Sequence, residues 1–196
     1  MEAYMVAGYH LIWTVYGYWL PNDPRGSTSK EIRVEPIAEL GELHYGRKEI
    51  QPTSKEIRAF HEKAHDVLKH PVLTFDDDEI SMLGKIFGEI ITENRYICYA
   101  CAIMPDHVHI LIRRHGDRAE TMIERFQEAS RAALIEAGRR PGTHPVWTKG
   151  PGWKTFINSQ RQFENEIKYI RRNPEKIGRP EQIWDFVTPY DGWMPK

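Results

Sequence analysis

His107 and His109 are separated by a single residue, Val108, in a run that continues as Ile110-Leu111-Ile112. On a β-strand side chains alternate with a period of two, so both imidazoles project from the same face. Two imidazoles on one rigid surface make half of a metal site. The plainer alternative is a pair of histidines on a partly exposed strand, because a lone H-x-H is a short motif. Further donors must come from another element. A helical wheel at ~100° per residue over about Ser159 to Arg172 puts Phe163, Ile167 and Ile170 on a buried stripe, with Gln162, Glu166, Tyr169 and Asn173 along one flank. Tyr169 and Asn173 stand four residues apart, one above the other, at the margin between core and solvent. Taken singly, each is ordinary: a helical tyrosine with its hydroxyl in water, and an asparagine closing a helix before Pro174.

Cys98 and Cys101 form a C-x-x-C, a spacing used in zinc and redox sites. The surrounding Tyr96 to Ile103 reads as a strand, where residues three apart point to opposite faces and cannot easily chelate one ion. The expectation is therefore two reduced thiols in the core.

The elements that must position these side chains follow from periodicity. A first strand is expected over about Tyr4 to Tyr18, rich in β-branched and aromatic residues. Pro21-Asn22-Asp23-Pro24-Arg25-Gly26-Ser27 ends it with turn residues, and an irregular insertion or long loop runs over about 21–54. Helices are expected from about Ser54 to Lys69 and from about Asp77 to Asn94. The second begins at the acidic block Asp76 to Glu79, which suits a helix N-terminus. Two strands, about Tyr96 to Ile103 and Val108 to Arg113, make a hairpin across Met104-Pro105-Asp106. A helix over about Arg118 to Ala137 ends at Gly138, and one or two short strands fall within Pro145 to Ile157. After the helix that carries Tyr169, the aromatic residues Trp184, Phe186, Tyr190 and Trp193 suggest a tail packed back on the body. This order predicts an antiparallel sheet covered by helices, the α+β class, in a single domain spanning 1–196.

Two segments then resemble a known family. Met104-Pro105-Asp106-His107-Val108-His109-Ile110-Leu111 is similar to the HUH motif of single-tyrosine transposases of bacterial insertion sequences. Tyr169-Ile170-Arg171-Arg172-Asn173-Pro174 resembles the nucleophile segment of their REP-associated relatives, and the order and spacing of the two segments agree. The resemblance extends to Tyr9-His10-Leu11, to Gly17-Tyr18-Trp19-Leu20-Pro21 with Asp23 and Arg25-Gly26, and to Tyr190-Asp191-Gly192-Trp193. It leaves about Ser29 to Ser54 unmatched.

The resemblance implies a ferredoxin-like or RRM-like core with His107 and His109 on a central strand and Tyr169 on a helix facing them. It implies that Asn173 completes the protein ligands of Mg²⁺ or Mn²⁺, where many insertion-sequence members carry glutamine, and that Tyr169 is the nucleophile. The implied reaction cuts and rejoins single-stranded or hairpin DNA through a 5′-phosphotyrosine, usually by a homodimer. Two neutral imidazoles and one amide would leave the ion's charge uncompensated, which suits an anionic phosphodiester.

The 196-residue chain carries a formal net charge of -1, so any DNA surface must be local. Candidate phosphate contacts are Arg113, Arg114, Arg161, Lys168, Arg171, Arg172 and Lys176, in and beyond a basic stretch that also holds Arg179. Exposed members among Trp147, Trp153, Trp184 and Trp193 could stack on bases, core packing being the alternative for at least half of them. The apolar start from Met5 to Leu20 has neither a basic n-region nor a small-residue cleavage site, so the default location is the cytoplasm. Two further readings stay open: a relative that binds DNA hairpins without cutting, and a zinc hydrolase using His107, His109 and one of His10, His115 or a carboxylate.

Overall fold

A computed structural model describes residues 5–27, 29–32, 35–150 and 152–195. Tyr4, where the first strand was expected to begin, lies outside the described residues. β1 is Gly8–Thr14, shorter than its apolar run. Val15 keeps only an isolated bridge to Trp147, and the chain then turns at Gly17, whose φ of 93° is in the left-handed region that favours glycine.

The expected insertion holds small elements: β2 (Gly26–Ser27) paired with β3 (Gly46–Arg47), and between them the short helix α1 (Glu35–Ala38). Ile37 of α1 packs with Leu20 and with Ala64 of the next helix, so this segment is seated on an apolar patch of its own. That helix is α2, Ser54–Val67, opened by a capping box of Thr53 with Glu56. α3 is Asp77–Asn94, and the acidic block supplies its capping box through Asp76 and Glu79.

The hairpin comprises β4 (Cys98–Ile103) and β5 (His107–Arg113), followed by α4 (Ala119–Glu136). Of the strands expected between Pro145 and Ile157, one forms as β6, Trp153–Ile157. α5 is Gln160–Arg171, capped by Ser159, and a single 3-10 turn follows over Pro174–Ile177.

The sheet is antiparallel in the order β4-β5-β1-β6. With α3 following β1 and α4 following β5, this is the βαββαβ connection of a ferredoxin-like fold, as expected. One face, built from Leu11, Trp13, Val15, Val108, Ile110 and Ile112, is covered by Phe87 of α3 and Phe126 of α4. The other face carries α5, whose Phe163 and Ile170 pack on Tyr99, Ala102 and Leu111. Gly8 makes that seat possible, because a Cβ there would lie 2.6 Å from the Phe163 ring.

One strand departs from simple alternation. Cys98 pairs with Ile112 and Ala100 with Leu111, so Tyr99 is an extra residue in a β-bulge. The bulge returns Cys98 and Cys101 to the same face, in the α3/α4 core, and corrects the expectation of opposite faces. Both are free, buried thiols, as expected. Burial pushes the Cys98 thiol up to about 12, and Cys101 is likewise raised well above its ordinary value.

The free edge of β4 is closed by the tail. Gln182 accepts from the Ile103 amide and donates to the Ile103 carbonyl, and Thr188 N–H donates to the Cys98 carbonyl. Among the described residues no helix is long and apolar enough to cross a membrane.

Candidate active site

The pairing of β1 with β5 builds the site. Leu111 lies opposite His10, His109 opposite Ile12 and His107 opposite Thr14, so His10, His107 and His109 share the α5 face of the sheet. His10 and His109 are diagonal neighbours on that face, a spacing at which ring side chains meet. Their rings touch through His10 Nε2 and His109 Nδ1 at 2.9 Å. His107 and His109 have ring centroids 4.8 Å apart, at 86°.

Tyr169 comes from above, on α5. Its ring meets His109 edge-on at 5.4 Å and His10 at 6.1 Å, while 45% of the residue stays exposed. Asn173, one helical turn on, is buried, and its Nδ2 donates to the Tyr169 carbonyl at 3.1 Å. Asn173 Oδ1 accepts from Lys176 at 3.1 Å, and the same ammonium lies 4.1 Å from the Tyr169 ring centroid. The structure thus sets Tyr169 of α5 against His109, beside His107, with Asn173 one turn beyond Tyr169.

Both histidines of the pair have Nδ1 engaged. His107 Nδ1 is 2.7 Å from Asp106 Oδ1, and His109 Nδ1 meets His10. A carboxylate only accepts, so His107 donates from Nδ1, which leaves Nε2 as the ring atom that can offer a lone pair. An amide oxygen has two lone pairs, so Asn173 Oδ1 can accept from Lys176 and still hold an ion. Two imidazole nitrogens and one amide oxygen fit a divalent cation that keeps positions open for phosphate oxygens. Among the described residues, no three His, Cys, Asp or Glu side chains form a metal-holding group.

The surrounding charge follows from burial. Burial holds the His109 pKa well below its ordinary value, and the Lys176 ammonium acts in the same direction, so the ring stays neutral. For Asp106, burial acts upward, but the hydrogen bond from His107 outweighs it and leaves the carboxyl below its usual range.

Two side chains of the site escaped sequence reading in these roles. Glu166 Oε2 lies 2.8 Å from His10 Nδ1, and Asp106 orients His107. The available signal was the flank position of Glu166 on the wheel and the place of Asp106 beside the pair. His10, weighed as a third metal ligand, has both ring nitrogens engaged by Glu166 and His109 instead. His115 is not in the cluster; its ring packs on Tyr96 at 4.9 Å.

The candidate phosphate contacts divide. Arg113 stacks on Trp193 and pairs with Asp191, and Arg171 pairs with Glu181, so both are committed within the chain. Arg114, Arg161, Lys168, Arg172 and Lys176 are exposed. None of the four tryptophans is exposed: Trp147 is buried in the α3/α4 core, Trp184 packs against that core, and Trp153 and Trp193 are half-buried. Direct base stacking on an exposed indole is therefore corrected, because these rings are spent on packing and on Arg113.

No protein-family model matches the chain, and no curated protein matches it. Among solved structures, the chain is similar to a REP-associated tyrosine transposase bound to a REP hairpin, with 11% identity and a TM-score of 0.47 over 91% of this chain and 73% of that one. It is also similar to a candidate transposase from Deinococcus radiodurans R1, with 15% identity and a TM-score of 0.41 over 87% of this chain and 92% of that one.

Proposed function

We propose that the chain is a metal-dependent endonuclease and strand transferase for single-stranded or hairpin DNA. Tyr169 is the nucleophile, and His107, His109 and Asn173 hold Mg²⁺ or Mn²⁺. The observation that supports this reading is the packing of Tyr169 against His109, beside His107 and one turn before Asn173, where both histidines have Nδ1 already bonded. When bound, the ion would polarise the phosphodiester and stabilise the charge that builds on its oxygens.

The exposed Tyr169 hydroxyl attacks the scissile phosphorus, forming a 5′-phosphotyrosine as the bond to the 3′-oxygen breaks. The phenol loses a proton and the departing 3′-oxygen gains one, so the step balances. A second 3′-hydroxyl reverses this exchange and joins a new strand. Lys176 places positive charge beside the Tyr169 ring throughout. Arg161, Lys168 and Arg172 share the outer side of α5, where they are exposed to phosphates.

The test is incubation with Mn²⁺ or Mg²⁺ and a pool of DNA hairpins, followed by denaturing electrophoresis. The reading predicts a denaturation-resistant adduct that Tyr169→Phe abolishes. An adduct that survives this substitution overturns the nucleophile assignment. Binding without any adduct across the pool favours a hairpin-binding protein that no longer cuts, and tight stoichiometric Zn²⁺ with ester hydrolysis favours a zinc hydrolase. The proposal includes a homodimer, which sedimentation showing only monomer with and without DNA would remove.

A further inference from the structure

The proposed chemistry leaves His10 and Glu166 without a part, although they are held as closely as any side chains in the site. His10 is 3% exposed, Glu166 Oε2 stands 2.8 Å from its Nδ1, and His109 Nδ1 stands 2.9 Å from its Nε2. The order of these contacts constrains where the protons sit. A carboxylate accepts only, so His10 must donate from Nδ1. A neutral His10 then offers a lone pair at Nε2, and His109 must donate to it from Nδ1. His109 is left with its lone pair on Nε2, the form a metal ligand needs.

Resting on the functional reading above, we infer that Glu166 and His10 are positioning residues that hold His109 in its metal-binding tautomer only while the nucleophile helix is seated. The two histidines of the pair are prepared by different means. His107 is set by its own neighbour, Asp106, whatever α5 does. His109 is set through His10 on β1 by a carboxylate on α5, one turn before Tyr169. Lifting α5 removes Tyr169 and Asn173 and, through Glu166, also loosens the proton that frees His109. Nucleophile and metal site are thereby assembled together, and a half-formed site holds the ion poorly.

The experiment reads ring protonation in the metal-free protein by long-range ¹H–¹⁵N NMR of labelled histidines, together with Mn²⁺ affinity by EPR titration. In the unaltered chain His109 is expected as the Nδ1–H tautomer. Glu166→Ala, a substitution that favours the helix, should shift His109 toward the Nε2–H form and weaken Mn²⁺ by about 10–100-fold, the range for losing an outer-shell partner. His10→Phe should do the same, and Glu166→Gln, which keeps an acceptor, should recover part of the affinity. His107 should keep its tautomer in all three variants.

The inference is overturned if His109 is Nε2–H in the unaltered chain, or if Glu166→Ala and His10→Phe leave both readouts unchanged. If the tautomers shift as expected while no DNA adduct ever forms, the relay stands and the proposed reaction falls.

Discussion

Two buried polar clusters in this chain show opposite uses of the same chemistry. Near the insertion, Asp23 is 1% exposed, and its two oxygens are saturated. Oδ1 accepts from Arg25 N and Nε at 2.9 and 2.7 Å, while Oδ2 meets Arg25 Nη2 at 2.7 Å and His61 Nε2 at 3.3 Å. This cluster is closed: every lone-pair site of the carboxylate has a partner. The cluster around His109 is open. Its Nδ1 atoms are tied to the half-exposed Asp106 and the buried His10, which leaves the Nε2 atoms to face other groups. A closed cluster serves to hold chain segments together. An open one spends burial on orienting atoms that contribute little to stability, which is what a binding site requires.

This contrast can be broken most forcefully by a control outside both clusters. Phe126 is fully buried, stacks with Trp13 at 5.8 Å and meets Phe87 at a tilt, 4.8 Å between centroids. Phe126→Ala should cost about 3–5 kcal/mol in denaturant unfolding, more than any change in either polar cluster. If a polar-site variant costs more, stability is distributed differently from this account.

Asp23→Ala comes next, at about 1–3 kcal/mol, because it leaves Arg25 and His61 without their acceptor. Its pH dependence has a definite sign. Burial raises the Asp23 pKa, but the bonds from Arg25 and His61 outweigh it and hold the folded value below the ordinary 3.8. The stability it contributes is therefore present above pH 3.8 and is lost as the pH falls through the folded value beneath it. The gap between the unaltered chain and Asp23→Ala should close in strongly acidic unfolding titrations and stay open at neutral pH.

A smaller change in stability is expected from the open cluster. Replacing both partners in His10→Leu/His109→Leu removes donor and acceptor together and should alter unfolding by no more than about 1 kcal/mol, while abolishing Mn²⁺ binding. A loss comparable to that of Phe126→Ala would show that the cluster is structural, like the one at Asp23. Smallest of all, Lys168→Ala on the exposed side of α5 should stay within about 0.5 kcal/mol in stability. Its readout is DNA affinity, where the salt dependence should lose about one unit of slope. An unchanged slope would take Lys168 off the phosphate path.

Much of the frame was legible because local periodicity reports local structure. The stripe of α5 and the acidic cap of α3 appear where the sequence puts them, and α5 carries Phe163 inward and Tyr169 at its margin. The shared face of His107 and His109 follows from strand alternation alone, since it depends on two residues of separation. The same rule failed at Cys98 and Cys101, because the bulge at Tyr99 is set by pairing with β5 and by the seat that ring takes against Phe163 and Tyr190. The sequence likewise offered four tryptophans as candidate base platforms, and none of them is exposed once the tail and core pack.

What the sequence alone determined is the identity of the chemical groups, their strand or helix periodicity, and hence which of them can share a face. Tertiary structure decided the rest: that β1 pairs with β5 in the register that sets His10 beside His109, and that α5 lies on this face with Glu166 within reach. Those contacts join residues about a hundred or more positions apart. No local propensity reports them, because they form only when the apolar surfaces of the sheet and of α5 close on one another and carry the polar atoms with them.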